Sequence, residues 1–140
     1  MSGITQGLVW SKNYELGCEE VDSQHRRLFE LVSELVIACT EGYDIEKLNE
    51  TIDFLVSYTV MHFADEEAFQ IKHNYPDYER HKQLHEDFKV TVGELVGEFK
   101  KDGSSEKLSS NVNKIVVLWL INHIQREDMK IGKHVRSMEA

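Results

Sequence analysis

Seven side chains of two chemical types, imidazole and carboxylate, stand where four helices can direct them to one place. They are His25, His62, Glu66, His81, His85, His123 and Asp128. Both types are ligands of first-row metals, and residue type alone leaves iron, manganese and zinc open. Seven ligands exceed what one ordinary site uses, so the set predicts two metal ions.

Two pairs in this set have a spacing typical of ligands on one helix. His62 with Glu66, and His81 with His85, are four residues apart. Residues at that spacing share a helix face, so each pair can reach one centre.

The third pair, His123 and Asp128, is five residues apart. On a regular helix this step separates the two side chains by about 140°. If both are ligands, the helix ends, bends or widens near Arg126, or Asp128 reaches sideways.

The alternative to a metal site is ordinary packing, since a single histidine on an apolar helix face is more often a core residue with a hydrogen-bond partner. Five imidazoles at one end of a small core would each need such a partner and would repel one another if charged. A metal removes both difficulties. His73 and His134 are predicted to be structural or solvated, and Glu67 to lie on the surface.

Other catalytic patterns are absent. The chain has no HExxH motif, and no histidine follows a glutamate by three residues as in carboxylate-rich di-iron bundles. No Ser/His/Asp triad can be argued from the spacing.

The elements that position the cluster are predicted to be helices, because apolar residues recur at alternating steps of three and four and Pro76 is the only proline. Asp22 or Ser23, and Asp44, have the side chains preferred at helix N-caps, and Gly42 is suited to a C-terminus. The predicted elements are an irregular arm over 1–21, helices over 22–41, 45–73, 77–101 and 106–128, and a polar tail over 129–140.

Short connections between such helices favour an antiparallel up-down-up-down bundle, hence an all-α fold. His25 and His81 lie near the starts of their helices, and Glu66 and Asp128 near the ends of theirs. In an antiparallel bundle these positions meet at one end, a result that uses no assumption about metal.

Composition limits the other functions. One domain is expected from 140 residues, and a net charge of −9 disfavours nucleic acid and anionic lipid as partners. We find no signal peptide and no apolar run long enough for a membrane helix. Cys18 and Cys39 lack CxxC spacing, which favours a reducing cytoplasm over a disulfide framework.

The chain resembles the hemerythrin family, and in particular its bacterial members. The resemblance rests on four ordered segments that together extend over nearly the whole chain: Trp10 to His25 with its Asp-x-Gln-His run, HFADEE at 62–67, YPDYERHKQLHEDF at 75–88 and WLINHIQRED at 119–128.

The resemblance implies an oxo- or hydroxo-bridged pair of iron ions. His81, His85 and His123 would hold one iron and His25 and His62 the other, with Glu66 and Asp128 bridging. Two roughly octahedral ions offer about twelve positions, and these side chains with one bridging oxygen leave about one vacant, on the iron with two histidines.

The implied function is reversible dioxygen binding in carriage, storage or delivery, with nitric oxide or small anions as further ligands. By analogy, the pocket wall comprises Phe63, Gln70, Trp119, Leu120 and Ile124. Gln70 departs from the methionine common in the family. The alternatives are an O2, redox or NO sensor, and a di-iron oxidase or NO-handling enzyme. Because no acid or base beyond the ligands is evident, the chain is expected not to be an enzyme.

Overall fold

The computed structural model describes residues 10–42, 44–102 and 110–139. They form four long helices: α1 (Glu19–Glu41), α2 (Ile45–Lys72), α3 (Tyr78–Asp102) and α4 (residues 110–139). The helices run antiparallel, so the predicted all-α four-helix bundle is confirmed. Asp102, which the sequence predicted to lie in the loop after the third helix, is instead the last residue of α3. The rest of that predicted loop at 103–105, the start of the fourth helix at 106 and the first part of the arm lie outside the described residues.

Helix α1 begins at Glu19, three residues before the predicted start. Cys18 is its N-cap residue. Three acidic side chains occupy the first turn, where their negative charges interact favourably with the positive end of the helix dipole. Asp22 is therefore not an N-cap. It is buried, and its carboxylate accepts the backbone N–H groups of Leu16 and Gly17 at 2.8 and 3.1 Å.

The turn between α1 and α2 follows the sequence prediction. Gly42 ends α1 in the left-handed conformation, with φ of 72°. Asp44 caps α2 by accepting the N–H of Lys47. Between α2 and α3, Asn74 adopts φ of 55°, and Pro76 lies in the turn rather than in the first turn of α3.

Helix α4 contains two widened segments. Val112–Val117 and Ile124–Asp128 are π-helical, and α-helical Leu118–His123 lies between them. The helix then continues as Met129–Glu139, so the predicted polar tail is wrong. Ile131 and Val135 are buried on one face, and packing of this face stabilises helix where the polar composition indicated none.

The described part of the N-terminal arm packs against both α1 and this extension of α4. Trp10 and Tyr14 contact Phe29, with ring centroids 5.2 and 4.9 Å apart. The Leu16 side chain is fully buried, and its carbonyl accepts a hydrogen bond from the Arg136 guanidinium.

Two groups of buried apolar residues stabilise the bundle. The larger follows the axis from Leu48 to Ile124, and the smaller joins the arm, the α2–α3 turn and the end of α4. Among the described residues, no helix is long and apolar enough to cross a membrane.

Candidate metal centre

All seven predicted ligands lie together at one end of the bundle. Each is buried, with no more than 5% of its surface exposed. Two overlapping groups have ligand atoms within 4.8 Å of one another. One comprises Glu66, His81, His85, His123 and Asp128, and the other comprises His25, His62 and Glu66.

The two oxygens of Glu66 are directed to different imidazoles. Oε2 lies 3.1 Å from Nε2 of His25 and 3.4 Å from Nε2 of His62. Oε1 lies 3.0 Å from Nε2 of His81 and 3.2 Å from Nε2 of His85. This carboxylate therefore joins a set of two histidines to a second set.

The two oxygens of Asp128 also face different histidines. Its Oδ2 lies 3.0 Å from Nε2 of His25, whereas Oδ1 lies 3.0 Å from His81 and 3.1 Å from His123. Two carboxylates thus stand between the pair His25 and His62 and the remaining three imidazoles.

The five-residue step in α4 is accommodated by widening of the helix. The π-helical segment Ile124–Asp128 follows directly after His123. A wider turn takes more residues to return to one face, so Asp128 arrives on the face of His123. The sequence left open whether the helix ends, bends or widens near Arg126, and the structure shows that it widens.

The electrostatics of the cluster are those of paired opposite charges. Burial alone would raise the pKa values of Glu66 and Asp128, but the neighbouring imidazoles outweigh it and hold both well below their usual range. Burial would lower the pKa values of His25 and His81, but the nearby carboxylates of Glu66 and Asp128 raise them to about 9 and about 10. The pKa of His62 is lowered, mainly by burial.

The arrangement fits metal ions better than it fits a hydrogen-bond network. Nε2 of His123 lies 3.2 Å from Nε2 of both His81 and His85, so three ring nitrogens converge on one point. Asp128 Oδ1, although close to two of these nitrogens, makes no hydrogen bond of good geometry with any residue that the structure describes. Converging lone pairs and an unpartnered carboxylate oxygen are what a cation between them would satisfy.

Two residues around the ligands were not identified from the sequence. Gln24 Oε1 lies 2.8 Å from Nδ1 of His62, and Glu67 Oε2 lies 2.8 Å from Nδ1 of His85. The surface assignment of Glu67 is therefore wrong, because its side chain folds back against α3 and is 15% exposed. The only sequence signal for either is its position next to a predicted ligand.

The two remaining histidines lie outside the cluster. His73 is the C-cap residue of α2, and its ring nitrogen is 2.9 Å from the carbonyl of Phe69. His134, which is helical rather than part of a tail, lies 2.7 Å from the carbonyl of His73. Both are structural, as predicted.

An apolar cavity of about 50 Å³ occupies the bundle interior beside the cluster. Among the described residues that line it, Thr59 alone has a hydroxyl or a charge, and its hydroxyl donates to the carbonyl of Leu55. Apolar cavities of this size remain dry but have room for small apolar molecules. The cavity therefore separates the cluster from water along the bundle axis.

Three of the five predicted pocket residues line this cavity: Phe63, Trp119 and Leu120. Ile124 is fully buried nearby but does not line it. Gln70 does not line it either. It lies one turn after Glu66 along α2, whereas Phe63 lies about one turn before Glu66. The Gln70 side chain is fully buried, and neither amide atom has a partner among the described residues.

The aromatic part of this wall stacks on the imidazoles. The Phe63 ring lies 3.8 Å from the His85 ring at an angle of 5°, and the Trp119 ring lies 4.2 Å from the His123 ring at 10°. These contacts restrict rotation of both imidazoles and exclude water from their faces.

A second opening reaches the cluster from the side, between α1 and α2. This open groove is lined by charged and polar residues that include Glu20, Asp65 and Lys72, and its wall includes Gln24 and Glu66. Solvent thus comes close to the buried carboxylate of Glu66.

Comparison with known proteins agrees with this geometry. Residues 16–135 match the family model described as the hemerythrin HHE cation binding domain. A bacteriohemerythrin of Stenotrophomonas maltophilia is 33% identical over 130 residues, which cover 93% of this chain and 82% of that protein. A myohemerythrin of Theromyzon tessulatum is 30% identical over 91% of this chain and 92% of its own. A crystal structure of wild-type hemerythrin superposes with a TM-score of 0.81 at 26% identity, covering 91% of this chain and 96% of that one.

Proposed function

Because the chain belongs to the hemerythrin family, we propose that it binds dioxygen reversibly at a non-haem di-iron centre. The observation that carries the proposal is the division of carboxylate oxygens. Glu66 and Asp128 each direct one oxygen to His25 and the other to His81. A single ion would not require two carboxylates in this orientation, whereas a bridged pair does.

Each histidine is assigned to one of the two irons according to the carboxylate oxygen that it faces. His81, His85 and His123 would hold one iron, and His25 and His62 would hold the other, which would keep the vacant position for the ligand. The separation of Glu66 Oε2 from Oε1, each near a different set, supports this assignment. Bound iron supplies the electrons for reversible association with dioxygen.

The chain itself holds the imidazoles in place and keeps water away. Stacking by Phe63 and Trp119 fixes two of them, and the dry cavity offers an apolar environment for a diatomic ligand. We include Ile124 in the pocket because it is fully buried beside His123, and Gln70 as a polar group on the far side of the centre.

We further propose a binding protein for carriage, storage or delivery rather than an enzyme. Nitric oxide and small anions are expected to compete for the same vacant position. The net charge of −9 supports the absence of nucleic-acid and anionic-membrane partners, and the cysteine usage supports a cytoplasmic location. Sustained consumption of dioxygen with a reductant present would contradict the binding role.

The decisive experiment is metal analysis together with absorption spectra of the reduced protein before and after exposure to air. We expect two irons per chain and a new visible band that disappears when dioxygen is removed. One iron per chain, or no new band, would contradict the proposal. His62→Ala is expected to lose or loosen the iron with the vacant position, and two tightly held irons with normal dioxygen binding would exclude that role for His62.

A further inference from the structure

Gln24 connects one predicted ligand to a carboxylate at the edge of the cluster. Its Oε1 lies 2.8 Å from Nδ1 of His62, and its Nε2 donates to Asp65 Oδ2 at 2.9 Å. Gln24 is on α1, whereas His62 and Asp65 are on α2. The side chain is half-buried and lines the polar groove that reaches solvent.

Both neighbours require the same orientation of the Gln24 amide. A carboxylate accepts hydrogen bonds only, so Asp65 must face the NH2 group. The carbonyl oxygen then faces His62, whose Nδ1 carries the proton it donates. Nε2 of His62 is left with its lone pair directed toward Glu66, at 3.4 Å from Oε2. Asp65 thus fixes Gln24, and Gln24 fixes which nitrogen of His62 is available as a ligand.

The corresponding contact on the other side of the cluster has a different charge. His85 Nδ1 lies 2.8 Å from the carboxylate of Glu67. By contrast, the buried Nδ1 atoms of His25 and His81 have no partner within the described ranges. One imidazole of each proposed iron therefore has a side-chain acceptor, which is a neutral amide at His62 and a carboxylate at His85.

We propose that Gln24, oriented by Asp65, is the positioning residue for the iron with the vacant site. Because the amide oxygen of Gln24 is neutral, it stabilises the reduced state of that iron relative to the iron bound by His85. An anionic acceptor increases the electron donation of a ligating imidazole and so favours the more oxidised metal, whereas an amide does so less. This inference rests on the proposed function. It adds a contact outside the ligand set that gives the two irons different reduction potentials.

The positioning role is tested by removing the acceptor on each side. Gln24→Leu and Glu67→Leu are each expected to make one iron per chain about 10- to 100-fold easier to remove with a chelator. The double variant is expected to release both irons more easily, because the two contacts serve different ions. Unchanged iron release in Gln24→Leu would overturn the role, and a double variant that still holds one iron tightly would overturn the assignment to different ions.

The electronic role is tested by exchanging charge without losing the hydrogen bonds. Gln24→Glu combined with Asp65→Asn gives His62 an anionic acceptor and keeps a donor behind it. We expect two irons, a lower midpoint potential and a several-fold shorter lifetime of the oxygenated form. Glu67→Gln is expected to raise the potential. A potential and lifetime equal to those of the wild type, with two irons retained, would overturn this part.

Gln83→Glu combined with Asp87→Asn is the matched control. Gln83 is exposed and donates to Asp87 on the outer face of α3, so the same exchange of charge, with no change in net charge, occurs there without contact to an imidazole. It should leave iron release and potential unchanged, and an equal shift in this variant would show that the effect does not depend on the contact with His62 and would overturn the proposal. Failure of the wild type to bind two irons would instead contradict the proposed function.

Discussion

The two halves of the bundle interior are built from the same helices and have opposite chemistry. At one end, imidazoles and carboxylates are buried in contact with one another. Toward the other, apolar side chains such as Leu48, Leu95 and Phe99 are packed around the cavity or beside it. Burial of apolar groups is favourable by itself, whereas burial of polar groups is favourable only when each has a partner.

This difference shows which half depends on metal. The apolar half is stabilised by packing that is present with or without a ligand. The cluster half holds converging ring nitrogens and the unpartnered Asp128 Oδ1, which a cation satisfies. Stability and function are therefore separable along the bundle axis, and variants in each half should have different consequences.

Glu66→Gln is expected to have the largest effect on the centre. Glu66 is the carboxylate that belongs to both groups of possible ligands, and the change removes its charge while keeping its shape. The chain should lose the bound pair of ions and the visible band, as measured by metal analysis and absorption. Glu98→Gln, on the exposed surface of α3 in the other half, is the control. A variant that retained both irons would show that Asp128 alone suffices as a bridge.

A metal present at about a thousand times its dissociation constant stabilises the folded protein by about 4 kcal/mol, and removal of the metal is expected to lower the free energy of unfolding by that amount. Amide hydrogen exchange should accelerate near His25, Glu66 and His81 and much less near Leu48 and Leu95. Equal acceleration in both halves would mean that the bundle responds as one cooperative unit and that the two halves are not separable.

Leu48→Ala tests the apolar half. Leu48 is fully buried near the start of α2, far along the helix from His62. The substitution should lower the free energy of unfolding by about 2–5 kcal/mol in a denaturant titration and leave iron content and spectrum unchanged. Ile45→Ala, at a position that is 57% exposed, should have little effect on either. Loss of iron in Leu48→Ala would contradict the separation.

Gly132→Ala tests the packing of the N-terminal arm against the end of α4. A Cβ atom at Gly132 would lie 2.5 Å from the carbonyl oxygen of Leu16, so the arm has to move. We expect a loss of about 1–3 kcal/mol and faster proteolysis of the arm. At Gly97 in α3 a Cβ meets nothing within 4 Å, so Gly97→Ala should stabilise the helix by about 0.5–1 kcal/mol. An arm that resists protease equally in both variants would show that the contact is not needed.

The smallest expected effect is a pH dependence of the metal-free protein. Folding raises the pKa values of His25 and His81 from 6.5 to about 9 and about 10, so the stability they contribute is complete below pH 6.5 and is lost as pH rises through these values. Urea titrations should therefore show stability falling above neutral pH. The iron-loaded protein should lack this alkaline loss because its imidazoles are already deprotonated. The same slope in both forms would contradict the proposed ligation.

What the sequence predicted well follows from local periodicity. Pairs such as His81 and His85 share a helix face by spacing alone, and an antiparallel bundle then brings the helix ends together. The awkward step to Asp128 was recognisable for the same reason, since five residues do not fit a regular turn.

What it did not predict depends on contacts between distant segments. Gln24 and His62 are 38 residues apart, and nothing in their spacing shows that a carbonyl oxygen of one faces a ring nitrogen of the other. Asp22 has the side chain of an N-cap, but the arm supplies the backbone N–H groups that it accepts. Ile131 and Val135 form an apolar face only once Leu16 and Phe69 are placed opposite them.

The widened turn Ile124–Asp128 determines more than the position of one carboxylate. Each residue of a helix adds about 100° of rotation, so the extra residue sets the rotational phase of everything that follows. Deleting one residue within this turn would return α4 to regular geometry and rotate Ile131, Gly132 and Val135 away from the arm. The register that brings Asp128 to the histidines is thus the same register that seats the N-terminal segment on the last turns of the chain.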